Sequence, residues 1–363
     1  MRFRYGIEHE LAILRGGAFA DFTNLAFDDL QAVVDALHED AADYPDLRVG
    51  DQGIKRKRWY VEGYERFDDA GELVRCDPKG LEVRTRIHDS VEAAVAALGA
   101  DVDRLAAELA PRGLATCAVG FNPLRSAYVI DPPLGEWERA HRIGSPEERT
   151  AHLHMVTYGP DLNLSADGLD VLDSARKLTY YSPWIVPLSF SSPFRDGMAW
   201  GGLSARTHLR TGARPAALAF LGPDAPQIPS DPSLTQPARL PAEIGRLEFK
   251  AFDAIGDLAL YGELFSLLIG LVLDDTLPGR ATTPDAAAHR HVATAGLTDD
   301  AVHRETGALL AAAERALAGR EPDLARLAAL RERWARHASA ASTMLAAHAA
   351  GATVAEVVRG RQV

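Results

Sequence analysis

The stretch Phe3–Leu14, with the sequence FRYGIEHELAIL, is the starting point for predicting the fold. Apolar and polar residues stand at near-alternate positions, which predicts a β-strand. Strand side chains repeat every two residues, so Glu8 and Glu10 share one face, opposite Ile7. Two carboxylates are costly to bury without partners, and a divalent cation such as Mg²⁺ would neutralise them. A strand with one solvent-facing side would explain them as well.

The composition is that of an acidic globular protein. The 363 residues include 39 Lys and Arg against 51 Asp and Glu, a formal net charge of −12 that argues against a nucleic-acid-binding protein. Two cysteines exclude a disulfide scaffold and a four-cysteine zinc site. The N-terminus lacks the apolar core of a signal peptide. The longest apolar run, Leu264–Leu273, is too short to span a bilayer. We therefore expect a soluble, cytoplasmic protein.

Strand and helix patterns mix up to Asp257, and mainly helical patterns follow as far as Val358. The predicted strands are Phe3–Leu14, Ile54–Val61, Leu81–Ile87, Leu114–Phe121, Glu147–Tyr158 and Arg246–Phe252, with a hairpin over Phe67–Cys76. The predicted helices before Asp257 are Phe27–His38, a helix capped by Asp89 and Ser90 that runs to Leu109, and Asp170–Tyr181. Irregular segments are predicted over Ser189–Arg214 and Gly222–Pro241. This order predicts an α+β fold with an antiparallel sheet, since a doubly wound sheet would need regular β-α-β alternation.

Two further carboxylates lie within predicted strands. Glu82 stands in the run LEVRT, and Glu248 stands in LEFK, on the same strand face as Lys250. Each could join Glu8 and Glu10 as a metal ligand. Each could equally be an exposed glutamate or one paired with a neighbouring cation.

His152 and His154 bracket one leucine in TAHLHMV. On a strand, both imidazoles would project from the same face and could bind a metal or support phosphoryl chemistry. A polar sheet face with a structural histidine is the alternative interpretation. No HExxH or CxxC motif accompanies the pair, so a zinc hydrolase is not supported.

Several basic residues could recognise an anion. Arg206, Arg210 and Arg214 follow the pair Gly201–Gly202, and guanidinium groups bind carboxylates and phosphates through paired donors. A solvated basic loop is the alternative. The run Lys55–Arg58 would alternate between the faces of a strand and suits a solvated or partner-facing edge. The sequence has no P-loop and no GxGxxG motif, so another architecture would have to hold any nucleotide.

Five motifs follow one another in a definite order. They are Gly6–Leu11 (GIEHEL), Leu81–Thr85 (LEVRT), Ala151–Val156 (AHLHMV), Ser191–Phe194 with Ser204–Arg206 (SSPF and SAR), and Leu247–Lys250 (LEFK). Together they resemble the glutamate–cysteine ligase superfamily, most closely its bacterial carboxylate–amine ligase branch, over about Tyr5–Asp257. Lys250 stands where that family has Arg, and Lys55–Glu65 has no counterpart in its well-known members. These departures indicate a divergent subfamily.

The resemblance implies a glutamine-synthetase-like fold, in which a curved antiparallel sheet has flanking helices and a helical C-terminal part. Residues 1–280 would form the catalytic domain, and residues 281–363 an Ala-rich helical extension packed on it. The resemblance also implies ATP with Mg²⁺, or Mn²⁺ in its place. The implied metal ligands are Glu8, Glu10, Glu82, His152 and Glu248. Arg206 and Lys250 are the implied catalytic residues, and with Arg210 they would contact the nucleotide phosphates or a substrate carboxylate.

The activity implied by the resemblance is amide-bond formation through an acyl phosphate. The partners would be a small-molecule carboxylate and an amino-acid amine, with no nucleic acid or membrane, and a homo-oligomer stays open. One alternative is a non-catalytic relative that binds a nucleotide or amino acid and acts through a partner. A second is a kinase that stops at phosphate transfer.

Overall fold

The computed structural model describes residues 1–38, 40, 58–142, 149–210 and 212–363. Within these residues, nine strands form one curled, mixed sheet. Its strands are β1 (Phe3–Arg15), β2 (Ala18–Ala20), β3 (Trp59–Phe67), β4 (Leu73–Arg84), β5 (Leu114–Cys117), β6 (Pro160–Ala166), β9 (Ala217–Leu221), β10 (Thr235–Pro237) and β11 (Leu247–Phe249). A separate hairpin joins β7 (Phe194–Arg195) and β8 (Met198–Ala199).

The first predicted strand, β1, is the centre of the sheet. It pairs antiparallel with β4 on one side and β6 on the other, and the main strand order is β10-β9-β11-β6-β1-β4-β3. The far end of β1 pairs with β2 and β5. The pair β9–β10 is parallel, and the other described pairs are antiparallel. The predicted curved sheet is therefore confirmed, with one parallel pair added.

Helices cover the sheet and form the C-terminal part, as predicted. The helices of the described residues are α1 (Phe27–Ala36), α2 (Val91–Leu109), α3 (Glu136–His141), α4 (Ala151–His154), α5 (Val171–Ile185), α6 (Ala205–Arg210), α7 (Leu258–Leu273), α8 (Ala286–Ala295), α9 (Asp300–Ala316), α10 (Glu321–Ala335), α11 (Ala340–Ala349) and α12 (Val354–Arg359). None of them combines the length and the apolar character needed to cross a membrane. Helix α7 is apolar on nearly all sides because it is surrounded by other helices, namely α2, α5, α9 and α10.

The main core joins the apolar face of β1 to helices from both parts of the chain. Ile7 and Leu11 of β1 lie in one buried cluster with Leu264 of α7 and with Leu309 and Leu310 of α9. Helices beyond residue 280 therefore pack against α7. A domain boundary at 280 stays a prediction.

Several predicted elements are correct in type and differ in extent. Ser90 caps α2 through a hydrogen bond from the Ala93 N–H, as expected. Of the predicted strand Leu81–Ile87, residues 81–84 form the end of β4, which begins at Leu73, and residues 85–87 lie beyond its last residue, Arg84. Two segments that were predicted to be irregular contain regular elements. Ser189–Arg214 contains α6 and the β7–β8 hairpin, and Gly222–Pro241 contains the short strand β10. Of the predicted strand Ile54–Val61, residues 54–57 lie outside the described residues.

The strand prediction around His152 and His154 is wrong. Both belong to the short helix α4. Successive residues of a helix turn by about 100°, so residues two apart point in nearly opposite directions rather than the same one. His152 is exposed, whereas His154 is half-buried and faces the sheet. A short apolar–polar alternation cannot by itself distinguish a strand from one helical turn.

Candidate functional site

One face of the sheet collects the acidic residues. Glu10 of β1 lies directly opposite Glu82 of β4, and Glu8 lies opposite Asp161 of β6. Residues directly opposite each other project from the same sheet face. By the same strand register, Glu62 of β3 and Glu248 of β11 also project from this face. The structure therefore brings Glu8, Glu10, Glu82 and Glu248 together on one face of the sheet.

The i,i+2 polar pair that flanks β1 comes from β6, not from the histidines. Asp161 and Asn163 project from the acidic face beside Glu8. His152 lies on an exposed side of α4, away from that face. The sequence contains this pair in the run PDLNL, but only the strand register shows that it borders β1.

Glu10, Glu62 and His154 form a group with metal-ligand character. One ligand atom from each lies within 4.8 Å of the other two, and His154 Nε2 is 2.9 Å from Glu62 Oε1. Burial, with the charge of Lys79, lowers the pKa of His154 and favours the neutral imidazole that can coordinate a metal. Two carboxylates and one imidazole fit Mn²⁺ or Mg²⁺.

Two cations hold the acids at the other end of the face. Arg246 Nη1 is 3.3 Å from Glu8 Oε1 and 3.1 Å from Glu248 Oε2. Lys250 Nζ is 2.5 Å from Glu248 Oε1 and also contacts Asp161 Oδ2. Burial opposes the charge of Lys250, but Asp161 and Glu248 outweigh it and raise the Lys250 pKa. Of the predicted metal ligands, Glu10 lies beside Glu62 and His154 and is paired with Lys79, and Glu82 lies opposite Glu10. Glu8 and Glu248 are paired with Arg246 and Lys250, and His152 is exposed.

A small cavity of about 40 Å³ opens beside the acidic face. Its lining includes Glu10, Asp161, Lys250 and three guanidinium groups, those of Arg206, Arg210 and Arg214. Burial, together with Arg206 and Arg214, lowers the pKa of Arg210 well below its ordinary value. The arginines thus repel one another, and an anion would relieve that repulsion.

Arg206 has spare hydrogen-bonding capacity at this cavity. Its Nη1 and Nη2 each donate at 2.9 Å, to the carbonyls of Ala251 and Lys250. Its Nε is buried and has no hydrogen-bond partner among the described residues. Within the same residues, neither Arg206 nor Arg210 has a carboxylate within ion-pair distance. The cavity therefore fits an oxyanion such as a phosphoryl group or a carboxylate.

Asp253 positions the helix that carries Arg206. Its carboxylate accepts hydrogen bonds from Ser192 Oγ at 2.6 Å, Ser204 Oγ at 2.8 Å and the Ser191 N–H at 3.0 Å. Ser204 Oγ also accepts the Thr207 N–H and so caps α6. The two serine-containing motifs thus meet at a buried aspartate, which the sequence patterns did not single out.

The acidic sheet face lies beside an arginine-lined cavity, an arrangement whose charges suit phosphorylated or carboxylate ligands. The family model described as glutamate-cysteine ligase family 2 matches residues 4–227, more than half of the chain. The chain therefore belongs to this family of ligases. No curated protein sequence matches it significantly.

Two solved structures share the fold over 99% of this chain. One is a bifunctional glutathione synthetase from Pasteurella multocida, with a TM-score of 0.56 and 14% sequence identity; the chain spans 51% of that protein. The other is a glutamate–cysteine ligase from Francisella tularensis in complex with AMP, with a TM-score of 0.56, 12% identity and 87% of its length covered. At these identities the likeness establishes the fold alone.

Proposed function

We propose that the protein is an ATP-dependent ligase that joins a carboxylate to the amine of an amino acid. The observation that carries this proposal is the Glu10–Glu62–His154 group beside a cavity lined by Arg206 and Arg210, in a member of a ligase family. Phosphoryl transfer needs charge neutralisation and positioning more than a protein nucleophile. The site offers carboxylates, an imidazole and guanidinium groups, which meet that requirement.

The reaction would proceed in two displacements. A substrate carboxylate oxygen attacks the γ-phosphorus of ATP, and ADP leaves. The amine nitrogen then attacks the acyl carbon and loses a proton, and phosphate leaves with the electron pair of the broken C–O bond. Arg206 and Arg210 bind the transferred phosphoryl group or the substrate carboxylate and hold the reacting atoms in line.

Glu10, Glu62 and His154 would hold a divalent cation, with Glu82 beside Glu10 as a further carboxylate. Such a cation, when bound, neutralises the phosphate oxygens of ATP. We assign the imidazole ligand to His154 in place of His152, because His152 is exposed. Glu8 and Glu248 would keep Arg246 and Lys250 in position and would take part in metal binding only if those cations moved.

An ADP-release assay with ATP, Mg²⁺ and pooled amino acids tests this proposal. We expect ADP release that requires one acid and one amine, and a product whose mass equals their sum minus water. Glu10→Gln should abolish the turnover, and Glu108→Gln, on the surface of α2, should leave it unchanged. A phosphorylated acid with no amide would instead indicate a kinase. Amine-dependent turnover that survives Glu10→Gln would contradict the site assignment.

A non-catalytic relative that binds a nucleotide or amino acid is the second candidate function. Two ammonium groups favour it, because Lys79 contacts Glu10 and Lys250 contacts Glu248, so cations of the chain already neutralise part of the acidic face. Binding of ATP by folded protein, without ADP release for any acid and amine in the panel, would support this candidate. Amine-dependent ADP release would exclude it.

A further inference from the structure

Strands β3 and β4 change register beside the acidic face. Glu62 lies opposite Gly80, whereas the next residue, Gly63, lies opposite Pro78. Lys79 therefore has no partner on β3 and is the extra residue of a β-bulge. Bulges next to functional sites commonly redirect a side chain out of the usual alternation.

Two glycines make this bulge sterically feasible. A Cβ atom added at Gly63 would meet the Asp77 carbonyl oxygen, and one added at Gly80 would meet the Leu11 carbonyl oxygen. Both contacts are with backbone, which cannot move aside as a flexible side chain can. The sequence around Lys79 is thus suited to the irregular backbone that presents it.

The bulge buries the Lys79 side chain completely. Its Nζ donates three hydrogen bonds, at 2.9 Å to Glu10 Oε1, 3.0 Å to the His154 carbonyl and 2.9 Å to the Thr157 carbonyl. An ammonium group has three N–H donors, and all three are used here. Lysine is almost never fully buried unless it is paired, so these contacts account for its position.

We propose that Lys79 is a positioning residue that holds Glu10 and His154 in the geometry needed to bind a divalent cation. Its ammonium ties the Glu10 carboxylate on β1 to the carbonyl of His154, the last residue of α4. Groups that hydrogen-bond to metal ligands fix their orientation, and their loss typically weakens metal binding. This inference rests on the metal-binding role proposed for Glu10, Glu62 and His154.

The charge of Lys79 makes the inference testable, because positioning and repulsion predict opposite changes in metal affinity when the charge is removed. A positive charge 2.9 Å from a ligand carboxylate also repels an incoming cation. If repulsion were its main effect, removal of the charge would tighten metal binding. If positioning is its main effect, removal weakens metal binding.

The test is calorimetric titration of the whole chain with Mn²⁺ alone, without ATP or amino acids. For Lys79→Met we expect Mn²⁺ affinity at least about tenfold weaker than in the wild type. Lys177→Met is a matched control, because Lys177 is also buried and its Nζ donates to the carbonyls of Leu271, Val272 and Asp274. The control should lose stability and keep wild-type Mn²⁺ affinity.

Lys79→Arg provides the second variant if Lys79→Met does not fold. The planar guanidinium cannot direct three diverging donors to the same three oxygens, so we expect Mn²⁺ affinity at least about threefold weaker. Unchanged or tighter Mn²⁺ binding in either folded variant overturns the proposal, as does a wild-type protein that binds no Mn²⁺.

ADP release measured in parallel separates this inference from the proposed function. Weaker Mn²⁺ binding in Lys79→Met, with no ADP release by the wild type, would remove the ligase assignment and leave the role of Lys79 intact. ADP release by the wild type, with unchanged Mn²⁺ affinity in Lys79→Met, would do the opposite.

Discussion

Arg210 is a residue at which activity and stability should separate. It is a buried cation that two neighbouring guanidinium groups repel, and its Nη1 donates to the Pro215 carbonyl at 3.2 Å. We expect Arg210→Met to lower ADP release by about 100-fold, because the donor proposed to bind the transferred group is lost. The free energy of unfolding should stay the same or rise by about 1–2 kcal/mol, since replacing a buried charge with an apolar side chain is often stabilising. Urea unfolding and the ADP assay measure the two effects.

The control for Arg210 is Arg331→Met, on the surface of α10. Arg331 pairs with Glu314 at 2.7 Å, and an exposed pair of this kind contributes little to stability. This variant should change neither activity nor stability appreciably. A loss of stability in Arg210→Met, with activity retained, would mean that Arg210 serves the fold and not an anion.

Sequence patterns identified site residues only where spacing within one segment carried the signal. Glu8 and Glu10 could be placed on one face because strand periodicity is local. Glu62 reaches the same face through the irregular pairing of β3 with β4, and Asp161 through pairing with β1, far earlier in the chain. A lone acid in a strand has no local mark of such pairing. Asp253 was missed for the same reason, since its serine partners lie about 50–60 residues earlier.

At the scale of elements, the β3–β4 bulge should depend on its glycines. Gly80→Ala would push a Cβ atom against the Leu11 carbonyl oxygen. We expect the free energy of unfolding to fall by about 2–3 kcal/mol, the usual cost of overpacking. The variant should also weaken Mn²⁺ binding, because the adjacent Lys79 would be displaced. Chemical denaturation and Mn²⁺ titration check these expectations.

Gly222→Ala is the comparison for the bulge variant. Nothing lies within 4 Å of a Cβ atom at Gly222, and its φ is not in the left-handed region. This substitution should change the free energy of unfolding by less than about 0.5 kcal/mol. If Gly80→Ala were equally neutral, the backbone at the bulge would have to relax freely, and the account of how Lys79 is presented would be wrong.

Element types were predictable where local signals agreed, and boundaries were not. The cap at Ser90 and the amphipathic face of α2 predict the same helix, which the structure contains. Strand β4 was divided in two because Pro78, Lys79 and Gly80 interrupt its pattern, yet a bulge accommodates them within one strand. The segment around His154 was misassigned because four residues are too few to distinguish a 3.6-residue period from a two-residue period.

At the scale of the whole molecule, buried histidines should make stability depend on pH. Burial lowers the pKa of His289, on α8, from 6.5 to about 4. Below about pH 6.5 the unfolded chain binds a proton at this residue that the folded protein does not bind. Stability contributed by neutral His289 is therefore fully present above pH 6.5 and falls as the pH drops toward 4.

The measurement for His289 compares denaturant unfolding at two pH values. Between about pH 7.5 and pH 5, the free energy of unfolding of the wild type should fall by about 2 kcal/mol more than that of His289→Gln. The exposed His291 on the same helix is the control for substituting a histidine of α8, and His291→Gln should change the free energy of unfolding at pH 7.5 by less than about 0.5 kcal/mol. Equal losses in the wild type and in His289→Gln would show that His289 becomes protonated in the folded protein.

The helices beyond residue 280 share the main core with α7, so the molecule should unfold as one unit. Leu310 of α9 is fully buried in that core, and a Cβ atom at Gly270 of α7 would meet Ala313, so the two helices approach closely. Leu310→Ala should lower the free energy of unfolding by about 2–5 kcal/mol. Its transition should coincide by tryptophan fluorescence and far-ultraviolet circular dichroism. Arg315→Ala, on the exposed side of α9, should change stability by less than about 0.5 kcal/mol. Two separate transitions in Leu310→Ala, the first losing helical signal alone, would instead define residues 281–363 as a domain that unfolds independently.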